Sequence, residues 1–154
     1  MSTEEIGGIL TRRNLFLMGG LGAVAVGMTG TAAAAPATET DNANAKLIED
    51  FCNSWNDPDK SVSYLAPDAV VRLSEDQPPV TGPAAAAAAF KSFMGHGEKI
   101  SVKIFTTFSK HPLVANVRTD TLIVPGKADQ VFQVVGVFIV KNGKIKEWTD
   151  YLRT

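Results

Sequence analysis

The stretch Val131-Phe132-Gln133-Val134-Val135-Gly136-Val137-Phe138-Ile139-Val140-Lys141-Asn142-Gly143-Lys144-Ile145-Lys146-Glu147-Trp148-Thr149-Asp150-Tyr151-Leu152 decides the architecture. Val131 to Val140 is a nearly continuous apolar run rich in β-branched side chains, the pattern of a covered strand. Asn142-Gly143 is a strong hairpin signal, because both residues tolerate the positive φ of a two-residue turn. Lys144 to Leu152 returns as the last strand. Its two-residue period puts Trp148, Asp150 and Leu152 on one face. Trp148 and Leu152 argue that this face is covered, which sets Asp150 between two large apolar side chains. A carboxylate there is costly unless it is paired or hydrogen-bonded.

Two more strands precede this hairpin. Lys99 to Lys110 alternates, with Ile100, Val102, Ile104, Thr106 and Phe108 expected on one face. Pro112 marks a turn, and Leu113 to Val124 alternates again until Gly126 breaks the pattern. In that strand Val114, Asn116, Arg118, Asp120, Leu122 and Val124 point the same way. Arg118 and Asp120 are therefore neighbours on one face.

Helices come first in the chain. Leu47, Ile48, Phe51, Cys52 and Trp55 form one apolar helical stripe, stopped by Asn56-Asp57-Pro58-Asp59. A second helix is expected over Lys60 to Leu65, and a short strand over Ala69 to Leu73. Pro78-Pro79 and Gly82 form a turn, and Pro83 suits the first position of a helix over Ala84 to Met94. Helices followed by an antiparallel meander make an α+β layout with the helices on one face of the sheet. A strongly curved sheet under helices leaves a pocket between them. Cys52, inside the helical stripe, reads as core filler.

Upstream lies a different kind of segment. Thr11-Arg12-Arg13-Asn14-Leu15-Phe16-Leu17 places paired arginines before apolar residues, an uncharged stretch runs from Asn14 to Thr38, and Ala35-Pro36-Ala37 is an A-x-A cleavage pattern. This layout resembles a twin-arginine export signal over residues 1–37. Gly19, Gly20, Gly22, Gly27 and Gly30 weaken it as a spanning helix. The expectation is an exported protein, periplasmic or secreted, that meets a membrane only in transit. Residues 38–45 read as a flexible lead-in, and residues 46–154 as the folded domain.

Composition narrows the function. The 154 residues hold 15 Lys+Arg and 16 Asp+Glu, for a net charge of -1, so no basic excess points to nucleic acid. A single cysteine excludes an internal disulfide framework and a thiolate zinc cluster. His96 and His111 are too few for a multi-histidine metal site. What remains is the carboxylate set. An arginine bridging Asp120 and Asp150 in a pocket would let one acid stay ionised as a base while the other holds a proton. The same spacing also fits a surface ion pair on a wet sheet face, which would be worth little.

Several segments together resemble a known family. They are Trp55-Asn56, Ala69-Val70-Val71, Pro79-Val80-Thr81-Gly82, Val117-Arg118-Thr119-Asp120, Val135-Gly136-Val137-Phe138, Asn142-Gly143-Lys144-Ile145 and Trp148-Thr149-Asp150-Tyr151. The frame is similar to limonene-1,2-epoxide hydrolase, within the nuclear transport factor 2-like and SnoaL-like superfamily of cone-shaped α+β folds. The resemblance implies one-step epoxide opening by water, without metal or cofactor. It implies that Asp150 takes a proton from the water, Asp120 gives one to the epoxide oxygen, and Arg118 holds both carboxylates. Trp148 and Leu122 would line the substrate site. The family also holds its water with a Tyr and, two residues later, an Asn on the first strand. By the spacing to Pro78-Pro79, Arg72 and Ser74 stand there, although loop-like Ser74-Glu75-Asp76 leaves room for a slip in that correspondence. Ser74 can bond a water, but Arg72 cannot accept a hydrogen bond and would lower the basicity of Asp150. Pairing of Arg72 with Glu75 and Asp76 outside the pocket is the alternative.

Two other functions stay open. One is a SnoaL-like cyclase or isomerase with His96 or His111 as base. The steroid isomerase version is disfavoured, since Phe51 and Leu73 occupy the places of that family's tyrosine and aspartate. The other is a non-catalytic module whose Arg118 grips an anionic ligand. A homodimer is expected, because Val131 to Val140 is apolar on both faces. Either Phe132, Val134, Phe138 and Val140 or Val131, Val135, Val137 and Ile139 face outward to a partner.

Overall fold

The computed structural model describes residues 35–94 and 97–153, and the twin-arginine segment as far as residue 34 and His96 lie outside them. Among the described residues three helices, α1 (Glu39–Asn53), α2 (Pro58–Val62) and α3 (Pro83–Phe93), accompany six strands. These are β1 (Leu65–Arg72), β2 (Val80–Thr81), β3 (Lys99–Lys110), β4 (Leu113–Ile123), β5 (Gln130–Lys141) and β6 (Lys144–Arg153). They form one sheet in the order β2-β1-β6-β5-β4-β3. β3 to β6 are the expected antiparallel meander, and β1 joins β6 in parallel. The turn at Asn142-Gly143, with φ of 52° and 67°, closes the β5–β6 hairpin as the sequence implies. No helix of the described residues is long and apolar enough to cross a membrane.

The core lies between the helices and one sheet face. Ile48, Phe51 and Cys52 of α1 and Trp55 just past its end pack there with Val114, Phe138, Val140, Ile145 and Trp148. Trp148 is the hub of the aromatic set. Its ring meets Phe51 edge-on at 5.1 Å and stacks on Trp55 at 5.3 Å and Phe138 at 6.0 Å. Such contacts add to plain area burial, and they fix β6 where it carries Asp150. The face of β5 is also settled. Val134, Phe138 and Val140 are buried, whereas Val131 and Val135 are exposed.

Three expectations need correction. Residues 38–45 are no flexible lead-in. Thr38 caps α1 in a reciprocal capping box with Asp41, and Asp41 also accepts a 2.7 Å bond from the His111 backbone N–H. Polar residues that looked like linker are employed as caps. The second helix ends at Val62, and β1 already begins at Leu65 and runs through Pro67. Its register with β6 shifts between Leu65 and Val70, where a proline is tolerated. Finally, β3 carries an irregularity between Ile104 and Thr106. The extra residue, Phe105, inverts the alternation after it, so Thr106 and Phe108, the latter 59% exposed, do not continue the face of Ile100, Val102 and Ile104.

Candidate active site

β4, β5 and β6 lie side by side, and their register assembles a charged cluster on the covered face. Asn116 pairs with Gly136, and Gly136 pairs with Asp150, so these residues form one row across three strands. Arg118 and Asp120 follow along β4. Arg118 is 1% exposed, Asp120 6% and Asp150 5%. The surface-pair reading therefore fails.

The guanidinium uses every edge. Arg118 Nε donates to both oxygens of Asp120, at 3.0 and 3.1 Å. Arg118 Nη2 donates to Asp150 Oδ2. Arg118 Nη1 donates to Asn116 Oδ1 at 2.9 Å. The cation also lies over the Trp55 ring, 4.8 Å from its centre, a favourable place for a desolvated charge. Asp150 takes a further bond, 2.7 Å, from Trp148 Nε1.

Gly136 makes this arrangement possible. A Cβ built there would overlap Arg118 Nη1 and stand 2.8 Å from Asn116 Oδ1 and from the Phe138 ring. The guanidinium crosses the middle strand only because that position has no side chain. A glycine inside an otherwise apolar strand is the sequence signal of such a close approach, and neither Gly136 nor Asn116 was singled out from sequence.

Burial governs the electrostatics. It pushes the Asp150 carboxyl up from 3.8 to about 6, against the opposing pull of Arg118 and Trp148. It also raises Asp120, again against Arg118. The two carboxylates hold Arg118 firmly protonated despite its burial. Cys52, beside Asn116, is pushed up to about 12 by burial and is an inert thiol. One cation between two acids is neutral when the pair holds a single proton, and a buried cluster favours that state.

A cavity of about 290 Å³ opens onto the cluster. Trp55, Leu73, Phe90, Met94 and Phe132 supply apolar wall, and Asp120, Asp150 and Trp148 lie on it. Ser74 and Gln77 also line it, but the Ser74 hydroxyl donates to the carboxylates of Asp76 and Glu75.

Not every expected site residue arrives. Leu122 is buried on the same face of β4 but does not line the cavity. Arg72 is displaced to the other side of the sheet. It pairs with Thr149, whereas Val71 pairs with Trp148, so the two-residue period sends Val71 and Leu73 inward. Val71 is buried in the core, Leu73 lines the cavity, and Arg72 Nη1 reaches the Glu75 carbonyl at 3.4 Å. Of the two residues expected beside the water by spacing to Pro78-Pro79, Ser74 reaches the cavity and Arg72 does not. His111, 3.3 Å from Asn44 through its ring, does not line the cavity.

Comparisons with known proteins agree with this geometry. The limonene-1,2-epoxide hydrolase catalytic domain family matches residues 42–154. Among solved structures, an LEH-like epoxide hydrolase from M. tuberculosis superposes with a TM-score of 0.66 at 28% identity, covering 74% of this chain and 85% of that one. A ketosteroid isomerase-like hypothetical protein from Catenulispora acidiphila, in complex with trimethylamine, gives 0.63 at 13% identity, covering 69% and 84%. A putative polyketide cyclase from Xanthomonas campestris gives 0.63 at 18% identity, covering 73% and 92%. No curated protein matches the sequence. The fold is the α+β cone of the nuclear transport factor 2-like and ketosteroid isomerase-like proteins.

Proposed function

Since the chain belongs to the limonene-1,2-epoxide hydrolase catalytic domain family, we propose that it opens a small apolar epoxide to a diol by one-step acid–base chemistry without a cofactor. The observation that carries this reading is Arg118 held between Asp120 and Asp150 at the wall of an apolar cavity. Asp150 accepts from two separate donors, Arg118 Nη2 and Trp148 Nε1, whereas Asp120 accepts from Arg118 Nε alone, and Asp150 acts as the base on the attacking water. Asp120 acts as the acid on the epoxide oxygen. An apolar substrate filling the cavity strips more water from Asp120 and raises its carboxyl further. Arg118 keeps the pair at one shared proton. Water is a poor nucleophile and an alkoxide a poor leaving group, so base and acid assist one transition state, each contributing ~10²–10⁴-fold. Incubation with limonene oxide and styrene oxide should yield diols. A folded sample that converts no member of a broad epoxide panel would sink the proposal.

Two further readings accompany it. The outward face of the sheet carries a row of exposed apolar residues across three strands, Val117, Val135 and Tyr151, paired in that order. An exposed apolar row can be buried against its own copy about a two-fold axis, and we assign it to a second copy of the chain. The segment 1–37 is assigned to twin-arginine export. Replacing Arg12 and Arg13 with lysine should leave the protein in the cytoplasm, and unchanged export would refute this.

A further inference from the structure

We propose that Asp76 is a positioning residue for the hydrolysis: it takes the hydrogen of the Ser74 hydroxyl, so that Ser74 Oγ meets the attacking water as an acceptor only. The water then gives one hydrogen to Asp150 and the other to Ser74, and its lone pair is left for the epoxide carbon. This rests on the acid–base reading of Asp120 and Asp150. It adds a second partner for the water and the residue that sets that partner's polarity.

Ser74 and Asp150 come from adjoining parts of the sheet. β1 runs parallel to β6 with Arg72 paired to Thr149, so Asp150 lies one residue past that pair and Ser74 two. Glu75 ties the same stretch to β6 a second time, its Oε2 accepting from the Leu152 backbone N–H at 3.0 Å. Ser74, Asp150 and Leu152 all line the cavity. The Ser74 hydroxyl donates to Asp76 Oδ1 at 2.5 Å, and Glu75 Oε2 stands farther off at 3.4 Å. A serine hydroxyl has one hydrogen and two lone pairs. With the hydrogen drawn to Asp76, Ser74 has lone pairs alone to offer a molecule in the cavity. Gln77 lines the cavity too, but it is exposed, and its carboxamide donates as readily as it accepts, so it fixes no polarity.

That polarity suits the reaction. A water that attacks carbon must keep a lone pair free and aimed, so its two hydrogens are what the protein can hold. A donor beside it would occupy the lone pair and blunt the nucleophile. Two acceptors, Asp150 and Ser74, leave the oxygen turned toward the substrate. In the step, one water hydrogen passes to Asp150 as the water oxygen bonds to an epoxide carbon. The epoxide carbon–oxygen bond breaks, and that oxygen takes the proton of Asp120. The second water hydrogen stays on the new hydroxyl, still held by Ser74. Proton exchange with solvent resets the two acids. Asp76 takes no part in the bond changes and acts through Ser74.

The experiment measures diol formation from limonene oxide by the full chain and its variants. Ser74→Ala and Asp76→Ala should each lower kcat ~10-fold, the worth of one ordinary hydrogen bond, with KM and the far-ultraviolet spectrum unchanged. Asp76→Asn, whose carboxamide oxygen still accepts, should retain most of the parent kcat. The double variant Ser74→Ala with Asp76→Ala should be no slower than Ser74→Ala alone, because Asp76 then has nothing to orient. Asp76→Ala at the parent rate, or two losses that multiply in the double variant, would overturn this inference and leave the hydrolase reading intact. A loss in Gln77→Leu with Ser74→Ala at the parent rate would assign the second hydrogen to Gln77 and overturn it as well. A folded parent that opens no member of a broad epoxide panel would overturn this inference and the hydrolase reading together.

Discussion

At Gly136 a hydrogen stands where any other residue would put a carbon, and the reach of Arg118 to Asp150 depends on it. Gly136→Ala is expected to force the guanidinium aside and lower stability by about 1–3 kcal/mol. Thermal melting and epoxide turnover should fall together, and a variant that melts and turns over like the parent would contradict the steric argument. Asp150→Asn keeps the shape and should cost ~10²–10⁴-fold in turnover with an unchanged far-ultraviolet spectrum. The pH dependence follows from the raised Asp150 carboxyl. One acid must be ionised while the other is protonated, so the rate should follow a bell in pH, with one limb near 6 where Asp150 titrates. The stability contribution runs one way. A carboxyl raised from 3.8 to about 6 in the folded state favours folding below the lower value, and that contribution is lost as pH rises through the upper one. The shared face of Arg118 and Asp120 and the apolar flanks of Asp150 were legible in the sequence, but the same spacing also fitted a surface pair, and the register of β4 and β6 across β5 decides between the two. The placement of Arg72 away from the cavity was not legible. It is set by the pairing of β1 with β6, and spacing to a proline pair cannot reveal it.

Among the elements, α1 shows how a polar segment becomes structure. Asp41 accepts from the Thr38 and His111 backbones and lies 3.7 Å from Lys110 Nζ, tying the helix start to the β3–β4 turn. These bonds hold its carboxyl down from 3.8 to about 2. The contribution to stability is therefore full above the ordinary value and lost as pH falls through the lowered one. Asp41→Asn should melt earlier than the parent at neutral pH, with the gap closing toward pH 2, and a gap that is constant with pH would refute the linkage. The apolar stripe of α1 was readable by period, but its start was not, because Thr38 and Asp41 resemble linker until the capping partner is known. β3 failed for a related reason. Alternation is read by counting, and one inserted residue at Phe105 inverts every side chain after it.

For the whole molecule, the exposed row Val117, Val135 and Tyr151 has a checkable consequence. Sedimentation should show a dimer at micromolar concentration, and Val135→Lys should shift it to monomer while each subunit stays folded. A monomeric parent would remove the second-copy assignment. The meander and its hairpin were legible because strong turn residues bound long alternating runs, whereas the parallel seating of β1 against β6 joins segments far apart in sequence. The layout divides labour within the molecule. The acids and their cation come from β4 and β6, steadied over β5, while much of the cavity wall comes from α3 and from Leu73, Ser74 and Gln77 after β1. A lineage could therefore reshape what enters the cavity by rewriting those two borders, without disturbing the proton-handling machinery it inherited.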